Sequence, residues 1–152
     1  MNNATHLAVD ESVEFSKAVS ADDIDLFARL SGDFDPIHVD DAYARTTAFG
    51  RRIAHGGLVM SLLSTTASMM SRRSAERGST GRPVSIGYDR VRFLKPVFVG
   101  DTLTARYTIA LVDDDAGQSQ AKAEVMNQHG ELCLVATHVM KWVMPAPTDA
   151  GS

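Results

Sequence analysis

The ten residues from Ser31 to Asp40 carry three carboxylates, an imidazole, a glycine and a proline. Asp33 and His38 stand out because each binds or releases a proton near neutral pH once burial shifts its pKa. Together they could take a proton from water and deliver one to carbon. We predict a rigid, non-helical segment that directs both side chains at one ligand. The residue types alone fit an ordinary turn with a solvated histidine equally well.

Two residues of this segment restrict its backbone. Pro36 fixes its own φ and pushes Asp35 toward an extended conformation, so we do not expect a helix to run through the segment. Gly32 accepts a left-handed or crowded backbone immediately before Asp33. The chain is therefore expected to bend at Gly32 and to present its catalytic candidates from a loop.

The flanks of the segment give it a family likeness. Ser31–His38 resembles the pattern small-Gly-Asp-x-Asn-Pro-aliphatic-His, and Ile53–Gly56 resembles the later aliphatic-x-His-Gly, of the MaoC-like, or (R)-specific enoyl-CoA hydratase, family of hot-dog proteins. The likeness includes Arg92–Leu103 and runs from about residue 15 to about residue 143.

The chain departs from the family pattern at Asp35, where asparagine is usual. An ionised carboxylate only accepts hydrogen bonds, whereas an amide also donates them. The change is expected to alter how the loop holds Asp33, or to raise the pKa of one of the two carboxylates through like-charge repulsion.

The resemblance implies a fold and a reaction. The fold is α+β, a single hot-dog domain with an antiparallel sheet wrapped round one long central helix. The reaction interconverts trans-2-enoyl and (R)-3-hydroxyacyl thioesters of coenzyme A or an acyl carrier protein, which makes the protein a hydro-lyase. Asp33 and His38 are then the catalytic pair that brackets the water, and which of them acts as base toward water stays open.

The run His55-Gly56-Gly57 meets a third requirement of this chemistry, stabilisation of the charge that develops on the thioester oxygen. A helix start presents unpaired N–H groups and the positive end of its dipole, and glycine lets a carbonyl approach closely. By resemblance, the N–H of Gly56 faces the thioester oxygen. A plain strand-to-helix turn at Gly56 and Gly57 is the alternative.

Four further residues complete the predicted site. Ser64 matches a family position that lines the site, although a hydroxyl bonded to the preceding helical turn is an equally simple explanation. Asp35, Pro36 and His55 are expected to shape the loop rather than to carry protons. Because no two histidines stand at helical spacing with a nearby acid, we expect no zinc site. No cofactor is expected beyond the coenzyme A of the substrate.

The rest of the chain predicts the elements that position these residues. Partial alternation predicts a strand over residues 7–19, and Ser20–Asp23 has the capping-box pattern of a helix start. Apolar residues at helical spacing predict a long helix over residues 58–73. From residue 84 the alternation predicts four successive strands joined by tight turns, with a bulge near Asp89-Arg90.

Composition and length limit the class of protein. The 152 residues suit one domain over residues 1–152, with frayed ends at about residues 1–6 and 145–152. The lone cysteine, Cys133, lies in an apolar run and is predicted to be an inert buried thiol. The N-terminus lacks a signal-peptide pattern and no apolar run reaches about 18 residues, so we expect a cytoplasmic protein without a membrane span.

The charge is unevenly distributed. The net charge of −4 argues against nucleic acid as a partner, yet residues 51–95 hold nine basic and two acidic side chains. A local basic surface suits a polyanion such as the phosphates of coenzyme A, with Arg51, Arg52 or basic residues of the 72–95 segment as candidate ligands. The alternative is a set of solvated loop charges.

Three hypotheses follow. The favoured one is the hydratase/dehydratase, expected to be a homodimer with sites near the interface because hot-dog proteins of this kind generally pair side by side. The second is a thioesterase on the same scaffold, in which an acid activates water against the thioester carbonyl. The third is a non-catalytic acyl-CoA binding subunit, which the aspartate at position 35 keeps open.

Overall fold

The computed structural model describes residues 4–147. In chain order its elements are β1 (Ser12–Ala18), α1 (Ala21–Ser31), α2 (Pro36–Val39), α3 (Asp41–Arg45), α4 (Gly56–Glu76), β2 (Arg82–Phe93), β3 (Thr102–Asp113), β4 (Gln118–Met126) and β5 (Leu132–Val143). They confirm the predicted α+β class, an antiparallel sheet against one long helix. None of the described helices is both long and apolar enough to cross a membrane.

The five strands form one antiparallel sheet in the order β1-β3-β4-β5-β2. The turns after β3 and β4 close hairpins, as predicted. The expected succession of four neighbouring strands is wrong at its start, because β2 pairs with β5 and not with β3. The connection between β2 and β3 therefore crosses the sheet, and β2 is left as an edge strand beside the long helix.

Helix α4 is longer than the predicted helix at both ends, starting at Gly56 and ending at Glu76. The predicted helix left out Gly56 and Gly57 because glycine has a low helix propensity. The helix packs against β1, β2, β3 and β4. Its buried side chains are Leu58, Val59, Leu62, Leu63, Thr66, Ala67, Met70 and Ser74.

Strand β2 is irregular in two places. Its register with β5 shifts between Asp89 and Arg92, where Arg90 has a φ of 53°, so the predicted bulge is confirmed. A second shift between Ser85 and Gly87 was not predicted. Each register shift changes which of the following β2 side chains point to a given face of the sheet.

Helix α1 ends at Ser31 and leads directly into the segment that contains Asp33 and His38. The hydroxyl of Ser20 accepts from the N–H of Asp23 and the Asp23 carboxylate accepts from the N–H of Ser20, so the predicted capping box is confirmed. Ile24 and Ala28 are fully buried on its inner face. The helix therefore has a fixed start and a fixed packing face.

The N-terminal segment is packed where the structure describes it. Thr5 is fully buried, its carbonyl accepts from the hydroxyl of Ser74, and its N–H donates to Asp114. This contradicts the expected frayed end over about residues 1–6 for the described part of that range. Residues 1–3 and 148–152, which belong to the two predicted frayed ends, lie outside the described residues.

Candidate active site

The segment that contains Asp33 and His38 includes a single helical turn, Pro36–Val39, that was not predicted from the sequence. Pro36 is the first residue of the single-turn helix α2, and Asp35 caps it by accepting from the N–H of Ile37 at 3.0 Å. The expectation of a wholly non-helical segment is therefore wrong. Proline lacks an N–H and has a helix-compatible φ, so it is well suited to the first position of a helix although it prevents one from running through.

Asp33 is fixed from both sides by short-range hydrogen bonds. Gly32 ends α1 in the left-handed conformation, with a φ of 80°, as its residue type predicted. The N–H of Asp33 then donates to the hydroxyl of Ser31 at 3.2 Å. One carboxylate oxygen of Asp33, Oδ1, accepts from the N–H of Asp35 at 3.1 Å. This leaves Oδ2 as the oxygen available to a ligand.

His38 faces that oxygen with a defined ring nitrogen. Its Nδ1 lies 2.7 Å from the carbonyl oxygen of Ile53, and because a carbonyl only accepts, Nδ1 carries a proton. In the neutral ring Nε2 therefore bears the lone pair, and it lies 4.0 Å from Oδ2 of Asp33. That distance is too long for a direct hydrogen bond, but it fits one water held by both groups at about 2.8 Å each.

His55 connects the two catalytic candidates. Its Nε2 donates to the carbonyl oxygen of Asp33 at 2.9 Å, and its ring stacks on that of His38 with centroids 3.9 Å apart. The side chain is buried, and Nδ1 has no hydrogen-bond partner among the described residues. His55 thus supports the backbone of one catalytic residue and the ring of the other, consistent with the predicted loop-shaping role.

Gly56 brings the start of α4 to a cavity of about 410 Å³ that His38 also lines. The side chain of His55, the N-cap residue, does not cap the helix, so the N–H groups of the first turn remain available for a ligand. A Cβ at position 56 would lie 2.7 Å from the ring of Phe93. Glycine is therefore needed here for packing, and it also leaves the backbone N–H accessible.

Apart from Lys95, the remaining walls of the cavity are apolar, and these apolar residues were not predicted as site residues. Cys133 forms part of the wall as a buried thiol whose pKa is raised by burial. The run Arg92–Leu103 already carried the family resemblance, so it held the signal for several of these side chains. The apolar wall residues are Phe49, Ile53, Ala54, Val59, Phe93, Leu94, Pro96 and Val97.

Two predicted site residues lie away from this cavity. Gly57 packs against Phe27, whose ring would be 2.8 Å from a Cβ at position 57. Ser64 lines a separate cavity farther along α4, together with residues of β2 and β5. Within this chain, the structure brings together Asp33, His38, His55 and Gly56, and it does not bring Ser64 to them.

Ion pairs neutralise part of the basic segment. Arg52 bonds to Asp25 and Asp41, and Lys95 pairs with Glu131. Arg51 is exposed and its guanidinium lies 4.0 Å from the ring centroid of Phe98. Arg51, with Lys95, lines a polar depression of about 260 Å³ adjoining the catalytic cavity. Of Arg51 and Arg52, Arg51 is the one left without an acidic partner among the described residues.

The catalytic cluster also has a spacing that a metal ion could use. One ligand atom from each of Asp33, His38 and His55 lies within 4.8 Å of the other two. One nitrogen of each histidine is already bonded to a backbone carbonyl, so each ring could offer only its other nitrogen. The prediction that the protein needs no metal stays a prediction.

Taken together, the fold and the site define a hot-dog protein with a carboxylate–imidazole pair beside a helix N-terminus. The family model described as "MaoC like domain" matches residues 4–131. The chain belongs to this family, as the sequence predicted.

Similar proteins support the assignment over most of the chain. An (R)-specific enoyl-CoA hydratase from Aeromonas caviae is 34% identical over 139 residues, which is 91% of this chain and 98% of that protein. The solved (R)-hydratase structure from A. caviae has a TM-score of 0.78 at 33% identity and covers 92% of this chain and 98% of its own. An R-hydratase structure from Pseudomonas aeruginosa has a TM-score of 0.76 at 27% identity, covering 99% and 96%.

Proposed function

We propose that this protein is a hydro-lyase that interconverts trans-2-enoyl thioesters and (R)-3-hydroxyacyl thioesters. The observation that carries the proposal is the 4.0 Å separation of Asp33 Oδ2 and His38 Nε2, beside a cavity that reaches the N–H of Gly56. The similarity to (R)-specific enoyl-CoA hydratases over nearly the whole chain supports it.

Hydration can be written on these groups with its protons balanced. One of Asp33 and His38 takes a proton from the bound water as its oxygen bonds to Cβ. The other, which enters the step protonated, delivers its proton to Cα, so the double bond is lost and the pair holds one transferable proton both before and after the step. In dehydration the two groups exchange roles, as microscopic reversibility requires.

The start of α4 supplies the electrostatic part. As oxygen adds to Cβ, negative charge moves onto the thioester oxygen, and the N–H of Gly56 with the positive end of the helix dipole stabilises it there. The apolar walls of the cavity exclude water, which strengthens this interaction.

A homodimer with the site near the interface is part of the proposal. The Asp33 side chain is 51% exposed within one chain. This is a high exposure for a carboxylate that has to hold one water molecule in a fixed position. Phe34, Leu26 and Leu30 are also exposed near the loop, and the edge strand β2 exposes apolar side chains. Covering these surfaces with a second copy would close the site and pair the edge.

The coenzyme A or phosphopantetheine part of the substrate is expected to extend out of the catalytic cavity and to lie beside Arg51. This exposed arginine lines the adjoining polar depression with Lys95, Gln128 and His129, and the depression also contains the carboxylates of Asp101 and of Glu131, which pairs with Lys95. A phosphate of coenzyme A, or of the phosphopantetheine of a carrier protein, would find there a guanidinium without an acidic partner among the described residues. Arg52 is expected to hold the loop instead, through its bonds to Asp25 and Asp41.

The direct test mixes purified protein with crotonyl-CoA and follows the ultraviolet absorbance of the enoyl thioester. Loss of absorbance with formation of (R)-3-hydroxybutyryl-CoA, shown by chiral separation, supports the proposal. Release of free thiol from saturated acyl-CoA without hydration would identify a thioesterase instead. Tight acyl-CoA binding with neither reaction, across a panel of chain lengths, would identify a non-catalytic subunit.

A further inference from the structure

A further cavity, of about 120 Å³, lies between α4 and β2, and its lining combines hydroxyl groups and His138 with the apolar side chains of Ala67, Pro83 and Met140. Three serines of α4 line it, namely Ser64, Ser68 and Ser71, and β2 contributes Ser85 and Tyr88. His138 of β5 also lines it and is fully buried. None of these residues has a part in the reaction described above.

His138 is held in a hydrogen-bonded chain that ends at the cavity. Its Nδ1 lies 2.7 Å from the hydroxyl of buried Tyr107, and its Nε2 lies 2.7 Å from the hydroxyl of Ser85. Burial lowers the pKa of His138 to about 4, so the ring is neutral near pH 7 and carries one N–H. No charged side chain lines this cavity.

A neutral imidazole lets this chain run in either direction. If Tyr107 donates to Nδ1, Nε2–H donates to Ser85, and the Ser85 hydroxyl proton is free to bind a ligand acceptor. If Nδ1–H donates to Tyr107, Ser85 donates to Nε2 and its oxygen is free to accept. The first direction satisfies the buried Tyr107 hydroxyl, whereas the second leaves its proton without an acceptor among the described residues, so the Ser85 hydroxyl preferentially presents a donor to a ligand.

Several other hydroxyls in the cavity are without partners. The hydroxyls of Ser64, Ser68, Ser71 and Tyr88 make no hydrogen bond to any residue in the described range 4–147; Ser64 and Ser68 are exposed at the mouth of the cavity, and Ser71 and Tyr88 are partly buried. Serines in a helix commonly bond back to the preceding turn, as Ser61 does to the carbonyl of Leu58. The cavity thus gathers uncharged hydrogen-bonding capacity that the protein itself does not use.

This cavity lies on the same helix–strand seam as the catalytic cavity. Gly56 and Phe93 form the catalytic end of the seam, and Ser64 and Tyr88 lie farther along the same helix and the same strand. At about 1.5 Å per residue, Ser64 is about 12 Å from Gly56 along α4. A four-carbon acyl group held at Gly56 does not span that distance, but a longer chain does.

We propose that the polar cavity binds an uncharged hydrogen-bonding group, a hydroxyl or a ketone, at the distal end of the acyl chain. This inference rests on the proposed hydratase function and narrows its substrate class. The cavity has less than a third of the volume of the catalytic one, a size that suits a terminal substituent better than a separate ligand. Ser85 and Tyr88 are the specificity-determining residues.

The test compares matched pairs of enoyl-CoA esters of increasing length, each with a terminal methyl, hydroxyl or ketone group. For the wild-type protein, kcat/KM should be about tenfold or more higher for the polar member once the chain is long enough to reach the cavity. Ser85→Ala and Tyr88→Phe should each lower that polar-to-alkyl ratio about tenfold. Tyr43→Phe, which removes an exposed hydroxyl on α3, is the matched control and should leave the ratio at the wild-type value.

The outcomes separate this inference from the function on which it rests. If crotonyl-CoA is hydrated but the polar-to-alkyl ratio stays near one at every length, the cavity does not select polar chains. An unchanged ratio in both cavity variants, or a preference for terminal carboxylates, would also overturn the inference. If crotonyl-CoA is not hydrated, the proposed function fails, and calorimetric affinities for the same matched pairs then test the cavity alone.

Discussion

The imidazole rings of His38 and His55 stack with centroids 3.9 Å apart and an interplanar angle of 25°. The opposite edge of His55 donates to the carbonyl oxygen of Asp33 at 2.9 Å. One buried side chain therefore positions both members of the catalytic pair without being placed to touch the reacting carbons. It sets the distance between them and so the geometry of the bound water.

We predict that His55→Leu lowers kcat about 10- to 100-fold with little change in KM, because a small misplacement of the pair penalises the transition state more than ground-state binding. His55→Gln retains an N–H donor and should recover part of the loss. Steady-state kinetics on crotonyl-CoA measure both constants. Equal activity of His55→Leu and His55→Gln would contradict the proposal that His55 positions the catalytic pair through its N–H donor.

Asp33→Asn and His38→Gln should each reduce kcat by about 10²- to 10⁴-fold, since each removes one proton carrier. The double variant should be little worse than the poorer single variant, because the two groups act on one water as a unit. Asp22→Asn, on the exposed first turn of α1, is the matched control and should keep wild-type turnover. Additive losses in the double variant would argue for independent roles.

Substitutions at Asp35 test whether an aspartate in place of the family's usual asparagine affects stability or activity. Asp35→Asn keeps a side-chain oxygen to cap α2 and should preserve stability and activity within about threefold. Asp35→Ala loses the cap and should cost about 0.5–2 kcal/mol of stability and lower kcat, because the loop that holds Asp33 loosens. Urea unfolding and crotonyl-CoA kinetics measure the two effects. A large gain in rate for the asparagine variant would mean that the aspartate is inhibitory.

The two ends of helix α1, just before Asp33, were predicted correctly because short-range interactions determine them. Gly32 ends a helix in the left-handed conformation and Ser20 begins it with a capping box, and both effects depend on residues only a few positions apart. Pro36 was misread because proline both prevents a helix from continuing and favours the first position of a new one. The residue type does not distinguish these two effects.

Long-range pairing was the part that local patterns did not predict. The alternation in β2 shows a strand but does not name its neighbour, so its pairing with β5 was missed. For the same reason local patterns did not predict the hydrogen bonds of His138, because Tyr107 and Ser85 meet it only through the sheet. Ser64 was placed near the catalytic pair by resemblance, and within one chain it lies instead in the polar cavity.

Gly56→Ala should lower kcat/KM about 10- to 100-fold while the protein stays folded. The new Cβ would lie 2.7 Å from the exposed ring of Phe93, which can rotate, but that ring then occupies the cavity it lines. Gly87→Ala is the matched control, because no atom lies within 4 Å of its Cβ position and its φ is not positive. Wild-type kinetics in Gly56→Ala would show that the close approach at the helix start is not needed.

The buried His138 should make stability depend on pH. Its pKa is about 4 in the folded protein, because burial disfavours the charged ring, and about 6.5 in the unfolded chain. Between these values the unfolded chain binds a proton that the folded protein does not, so this contribution to stability is complete above pH 6.5 and is lost as the pH falls toward 4. The expected loss is about 3 kcal/mol at the lower end.

Urea unfolding at pH 7.5, 6 and 5 measures this slope. His138→Gln keeps hydrogen-bonding groups for Tyr107 and Ser85 but does not titrate, so its free energy of unfolding should fall less steeply below pH 6.5 than that of the wild type. His129→Gln, in an exposed turn, should keep the wild-type slope. If His138→Gln loses stability as steeply as the wild type, other groups cause the acid sensitivity, and the assignment of a neutral, buried His138 between Tyr107 and Ser85 would lose its support.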